Sequence, residues 1–163
     1  MARGRVVAHA RHGRLDLVAD VADALPGRLT HLLSHPLVNP PPYLIEQAIC
    51  GTLLLAIAMA DLARARRTGE SALARSAAWM IALAERFRFL RNFQPTMSAA
   101  SARADAEQAD RAAYEEAVSS YADLDRAGIR AAALGLLRER PTNKETTADR
   151  PITEPGRASR ARR

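Results

Sequence analysis

The chain predicts an all-α fold, and three features of its 163 residues carry that expectation. Aromatics make up only 4% while 48% of residues are hydrophobic, so the core must be built of Ala, Leu, Ile and Val, with Ala the best helix former. β-Branched residues are scattered and never alternate with polar ones over a useful length. Apolar residues instead recur at spacings of three and four in segments punctuated by Pro and Gly. The expected architecture is an up-and-down antiparallel bundle of three to four main helices, preceded by a helical N-terminal extension and followed by a disordered tail.

Charge divides the chain into three parts. Residues 1–14 hold Arg3, Arg5, Arg11 and Arg14 and no acid, and are expected to lack structure. Residues 15–140 form the expected single domain, with 14 basic and 15 acidic side chains. Residues 141–163, with six basic and three acidic groups and little apolar surface, are expected to be disordered.

Along the domain, Leu15, Val18, Ala22 and Leu25 define a first amphipathic helix over 15–25, which Pro26-Gly27 should interrupt. Leu29, Leu32 and Leu33 then mark a short helix to about Ser34, ended by His35-Pro36, because a residue before proline is pushed out of the α region. Asn39 and the three prolines after it form a stiff connector. Helix 43–67 is the most apolar, and closes on Arg64, Arg66 and Arg67, cations suited to a helix C-terminus. Gly69 is the natural residue to end it, and Ser71 to cap helix 72–92, whose face is Leu73, Ala77, Met80, Ala84 and Phe87. After the break at Pro95, Ser98 or Ser101 opens a helix over 98–126. Its stripe of Ala102, Ala106, Ala109, Ala113, Ala117 and Tyr121 lets a neighbouring helix approach closely, within the chain or from a second copy. Gly128 separates off a last helix, 129–139, which Pro141 ends.

Four groups invite a functional reading. Helix 43–67 is apolar enough to suggest a membrane span, but Glu46, Gln47 and Asp61 interrupt it, and its unbroken apolar run, 48–60, has the length of a buried core helix. Arg86, Arg88 and Arg91 alternate with all three phenylalanines, Phe87, Phe89 and Phe93, as in a surface that takes anions or stacks bases. The plainer reading has the rings anchor the bundle's end and the arginines pair with acids of helix 98–126. His31 and His35 share a helix face, yet two ligands leave a tetrahedral zinc site half-made, so no metal site is expected. The tail's arginines could hold nucleic acid weakly, through counterion release alone. Lys144 is the only lysine among 24 basic residues, a bias that GC-rich codon usage produces, and it weakens any inference from basicity to nucleic acid.

No nucleophile with an adjacent base and no Gly-rich phosphate loop occurs, so neither a catalytic set nor a cofactor is expected. A lone Cys50 gives no internal disulfide, and Asp16, Asp20 and Asp23 stand where a secretory signal would be apolar; a cytoplasmic setting is the expectation. The leading functional expectation is a non-enzymatic interaction, adaptor or accessory protein, self-associating through the Ala106–Tyr121 stripe. The alternatives are a membrane-associated protein held by helix 43–67, a weak nucleic-acid binder, and a helical accessory domain or remnant of a larger enzyme. The last rests on analogy: the long Ala-rich helices are similar in style to the C-terminal bundles of acyl-CoA dehydrogenases, with no motif shared.

Overall fold

A computed structural model describes residues 2–35, 43–87 and 98–141 of the chain. Among them it is all-α: α1 (Ala2–Arg11), a 3-10 turn (Leu15–Val18), α2 (Ala19–Ser34), α3 (Tyr43–Thr68), α4 (Ser71–Arg86), α5 (Ala99–Tyr121) and α6 (Arg126–Glu139). The connector 36–42, the stretch 88–97 and the tail 142–163 lie outside the described residues.

The basic N-terminus corrects the sequence reading. Residues 2–11 are a helix, because Val6, Val7 and Ala10 form a small apolar patch that is fully buried or nearly so in the common core. Gly13, at φ 67°, closes α1: its N–H donates to the Ala10 carbonyl and that of Arg14 to the His9 carbonyl. This paired closure needs a left-handed residue, which glycine supplies without a steric penalty.

Proline does not interrupt the second element either. α2 runs through Pro26 and Gly27 to Ser34. A proline inside a helix costs about 3 kcal/mol. Ala22, Leu25, Leu29 and Leu33 are all buried on one side of α2, and each buried leucine contributes about 1.5–3 kcal/mol. Continuing the helix is what places them together, so burial prevails. His35 ends α2, its N–H and its ring Nδ1 both directed to the His31 carbonyl at 3.0 and 3.2 Å. Arg130 of α6 donates to the last α2 carbonyls, Leu32 and Leu33, as a cation at a helix C-terminus should.

α3 is the central element, packed against α1, α2 and α4, and Cys50 through Ala63 are buried without a break. The most apolar window of this helix is 83% buried inside the chain itself. Gly69 (φ 74°) returns its N–H to the Ala65 carbonyl at 2.8 Å, and α4 begins two residues later. Ser71 is the first residue of α4 and not its cap; Glu70 precedes it without a capping side-chain bond. The described part of α4 ends at Arg86, with Phe87 buried in the core.

α4 packs most extensively on α5. Ser98 caps α5 as expected, accepting from the Ser101 N–H at 3.1 Å. The helix is not continuous, however. Asp110 has extended backbone (φ −160°, ψ 90°), and its Oδ1 accepts from the Ala113 N–H at 3.0 Å. An aspartate in the middle of the run thus acts as an N-cap and restarts the helix after a kink. α5 ends at Tyr121, and Asp125 caps α6 by accepting from Gly128 N–H at 2.7 Å. Gly128 therefore sits inside the first turn of α6 and does not separate two helices.

Candidate functional site

The expected interface stripe is spent within the chain. Ala106, Ala113, Ala117 and Tyr121 are buried in the core that α5 shares with α4, and Ala109 is half-buried. Small side chains on this face allow the two helices their close packing. Of the basic patch, Arg88 and Arg91 lie outside the described residues. Arg86 is exposed and donates to the Leu124 carbonyl at 3.1 Å, joining the end of α4 to the α5–α6 turn. Ion pairs do tie α4 to α5, through other residues: Arg75 to Glu116 at 2.8 Å and Glu85 to Arg103 at 3.1 Å. Among the described residues no three His, Cys, Asp or Glu side chains converge on a common point.

Two features went unread in the sequence. The first is a buried ion cluster around Asp61, which has no solvent exposure. Arg140, just beyond α6, grips its two oxygens through Nε and Nη2 at 2.6 Å each, and Arg64 Nη1 adds a bond of 3.2 Å. Arg64 also reaches Asp23 of α2. Burial works to lower the Arg140 pKa, but the bonds and charge of Asp61, with Asp23 adding, hold it above its ordinary value. The cluster joins α2, α3 and the end of α6. It also fixes the C-terminal end of α6 against α3.

The second feature is an open groove of about 540 Å³ where α4 meets α6. Each helix contributes residues at helical spacing: Ala72, Arg75, Ser76 and Trp79 from α4, and Ala132, Gly135, Leu136 and Glu139 from α6. The small residues leave space, while Trp79 and Leu136 supply apolar surface. Tyr121 closes one side, its ring edge-on to Trp79 at a centroid distance of 5.5 Å. Pro141 forms part of the lining too.

The groove's polar groups are unevenly satisfied. Burial, and then the charge of Glu139, push the Tyr121 hydroxyl up to about 12, so it is protonated at neutral pH. Trp79 Nε1 is shielded from solvent and has no hydrogen-bond acceptor among the described residues. No protein-family model matches the chain, and no curated protein or solved structure is similar to it. The groove must be read from its own chemistry.

A third arrangement lies on the other side of α5. Arg103 Nε donates to the Tyr114 hydroxyl at 3.0 Å, and that hydroxyl donates to Glu85 Oε1 at 3.1 Å. Burial and the Glu85 charge raise the Tyr114 pKa against the opposing pull of Arg103. With Arg103 Nη2 on Glu85 Oε2 at 3.1 Å, both carboxylate oxygens are engaged, which makes the triad a latch between α4 and α5.

Proposed function

We propose that this is a non-enzymatic helical interaction protein, an adaptor or accessory subunit, whose working surface is the Trp79–Tyr121 groove. One observation carries the reading: the chain's only tryptophan, packed edge-on against Tyr121, lines an open groove between α4 and α6. Tryptophan and tyrosine in apolar recesses are the side chains on which binding energy concentrates. The fitting occupant is a stretch of polypeptide with one apolar side chain for the space above Gly135 and Leu136. Self-association belongs to the same proposal, running through this groove now that the Ala106–Tyr121 stripe is covered within the chain. So does a cytoplasmic setting, which the burial of α3 among α1, α2 and α4 supports over a bilayer anchor.

The test places a photoreactive benzoyl-phenylalanine at Ala72, on the groove's exposed rim, and at Ala100, exposed and away from it. The proposal expects crosslinks to polypeptide from position 72 that Leu136→Asp abolishes, with none from position 100. Position 72 giving no crosslink, or one indifferent to Leu136→Asp, refutes it.

A further inference from the structure

α6 delivers the chain into the groove. Arg140, held by Asp61, has extended backbone (φ −57°, ψ 126°), and the next residue, Pro141, already lines the groove beside Leu136. Everything after Pro141 therefore starts at the site. That segment, 142–163, has one large apolar side chain, Ile152, eleven residues on. Eleven extended residues span on the order of 35 Å, ample to turn back. The segment carries net charge +3, while the groove lining holds one cation, Arg75, paired to Glu116, and one acid, Glu139.

We propose that the segment after Pro141 folds back and seats Ile152 in the groove of its own chain, against the apolar surface of Trp79 and Leu136. The inference rests on the groove being a polypeptide site and adds that its resident occupant is the protein's own C-terminal segment, which an outside partner must displace. Tethering decides between this chain's tail and a second copy's. A short flexible tether gives an effective concentration on the order of millimolar, far above that of free copies in dilute solution.

The single tryptophan makes the full-length protein its own reporter. Ile152→Asp should release the segment and leave the helices intact by circular dichroism. A groove occupied half the time shields Trp79 half the time, so release raises its acrylamide quenching constant about two-fold. Ile152→Leu should leave quenching at the wild-type value. The Ala72 crosslinker in the wild-type protein should join position 72 to residues within 142–163 of the same chain, at monomer mass. Unchanged quenching in Ile152→Asp overturns the inference, as does a crosslinked dimer, which assigns the groove to a second copy's tail. A crosslink to another protein that Leu136→Asp abolishes sinks the self-docking and leaves the groove a polypeptide site. No crosslink of any kind sinks both.

Discussion

Replacing Asp61 by Asn should remove a large part of the protein's stability. The carboxylate is wholly buried, and it is the counter-ion of Arg140, whose side chain is only 11% exposed. Removing one partner of a buried pair costs about 3–5 kcal/mol, because the other charge stays buried without compensation. Arg64 keeps Asp23, and the Asn amide oxygen still accepts one bond, so the lower end, about 3 kcal/mol, is expected for this variant. Domains of this kind have about 5–15 kcal/mol in total, which makes the loss easy to measure. Urea unfolding followed at 222 nm, with linear extrapolation to water, gives the number directly. Arg140→Met should lose a similar amount. The double variant Asp61→Leu/Arg140→Met should recover to within about 1 kcal/mol of wild type, since apolar residues of like volume replace a buried ion pair at little cost. A loss under about 1 kcal/mol in Asp61→Asn would refute the reasoning, and so would a double variant whose loss is the sum of the two singles.

Other perturbations test the rest of the framework. Tyr121 has a folded-state pKa of about 12 against an ordinary value of about 10, so its contribution is complete below pH 10 and is lost as pH climbs through 12. Wild type should lose roughly 2 kcal/mol more than Tyr121→Phe across that window, and Trp79 fluorescence should fall with the same titration as a tyrosinate forms at its edge. Asp110→Ala removes the cap inside α5 and should lower stability by about 1 kcal/mol in urea; a gain would show that packing, not the cap, sets the kink. Ala113→Arg puts a long cation where 1% of the residue is exposed, and it should abolish the cooperative unfolding transition without first changing any assembly state. Gly135→Ala lies mid-helix with nothing within 4 Å of the new methyl, so it should raise stability by about 0.5–1 kcal/mol.

The helical class was legible because it depends on local spacing: the 3-4 recurrence in α3 and α5, the Gly69 turn and the Ser98 cap are all short-range patterns. Local rules also account for the misses. Val6, Val7 and Ala10 are too few to show a period, and the arginines around them gave the segment the look of a solvated end. Pro26 obeys the breaker rule in isolation and yields to the burial of Leu25, Leu29 and Leu33, a gain that exists only once α3 is alongside. Asp110 is one acid among many in α5, and nothing in its neighbours distinguishes the one whose carboxylate turns back on the main chain. Trp79 lies off the face traced by Leu73, Ala77, Met80 and Ala84. Its rarity in an aromatic-poor chain was the available signal, and the facing stripe of α6 that turns it into a groove lies more than fifty residues away.

The Asp61 cluster and the groove belong to one argument about α3. A bilayer-spanning helix would have to hide Asp61 from hydrocarbon, whereas here its two oxygens are already committed to Arg140 and Arg64. The residue that breaks the apolar run is thus a docking point for another part of the chain, 79 residues away. That distance explains why no local pattern announces it. Ion pairs of this kind are weak contributors to net stability next to apolar residues of the same volume, and are better suited to specifying one geometry. The geometry specified here is where α6 ends and in which direction Pro141 leaves. Asp61→Leu/Arg140→Met should therefore separate the two roles, keeping the stability of wild type while the segment after Pro141 loses its fixed origin. Its Trp79 should then quench as readily as in Ile152→Asp. Wild-type quenching in that stable double variant would mean that Pro141 alone aims the segment, and that the buried pair serves only to hold α6 against α3.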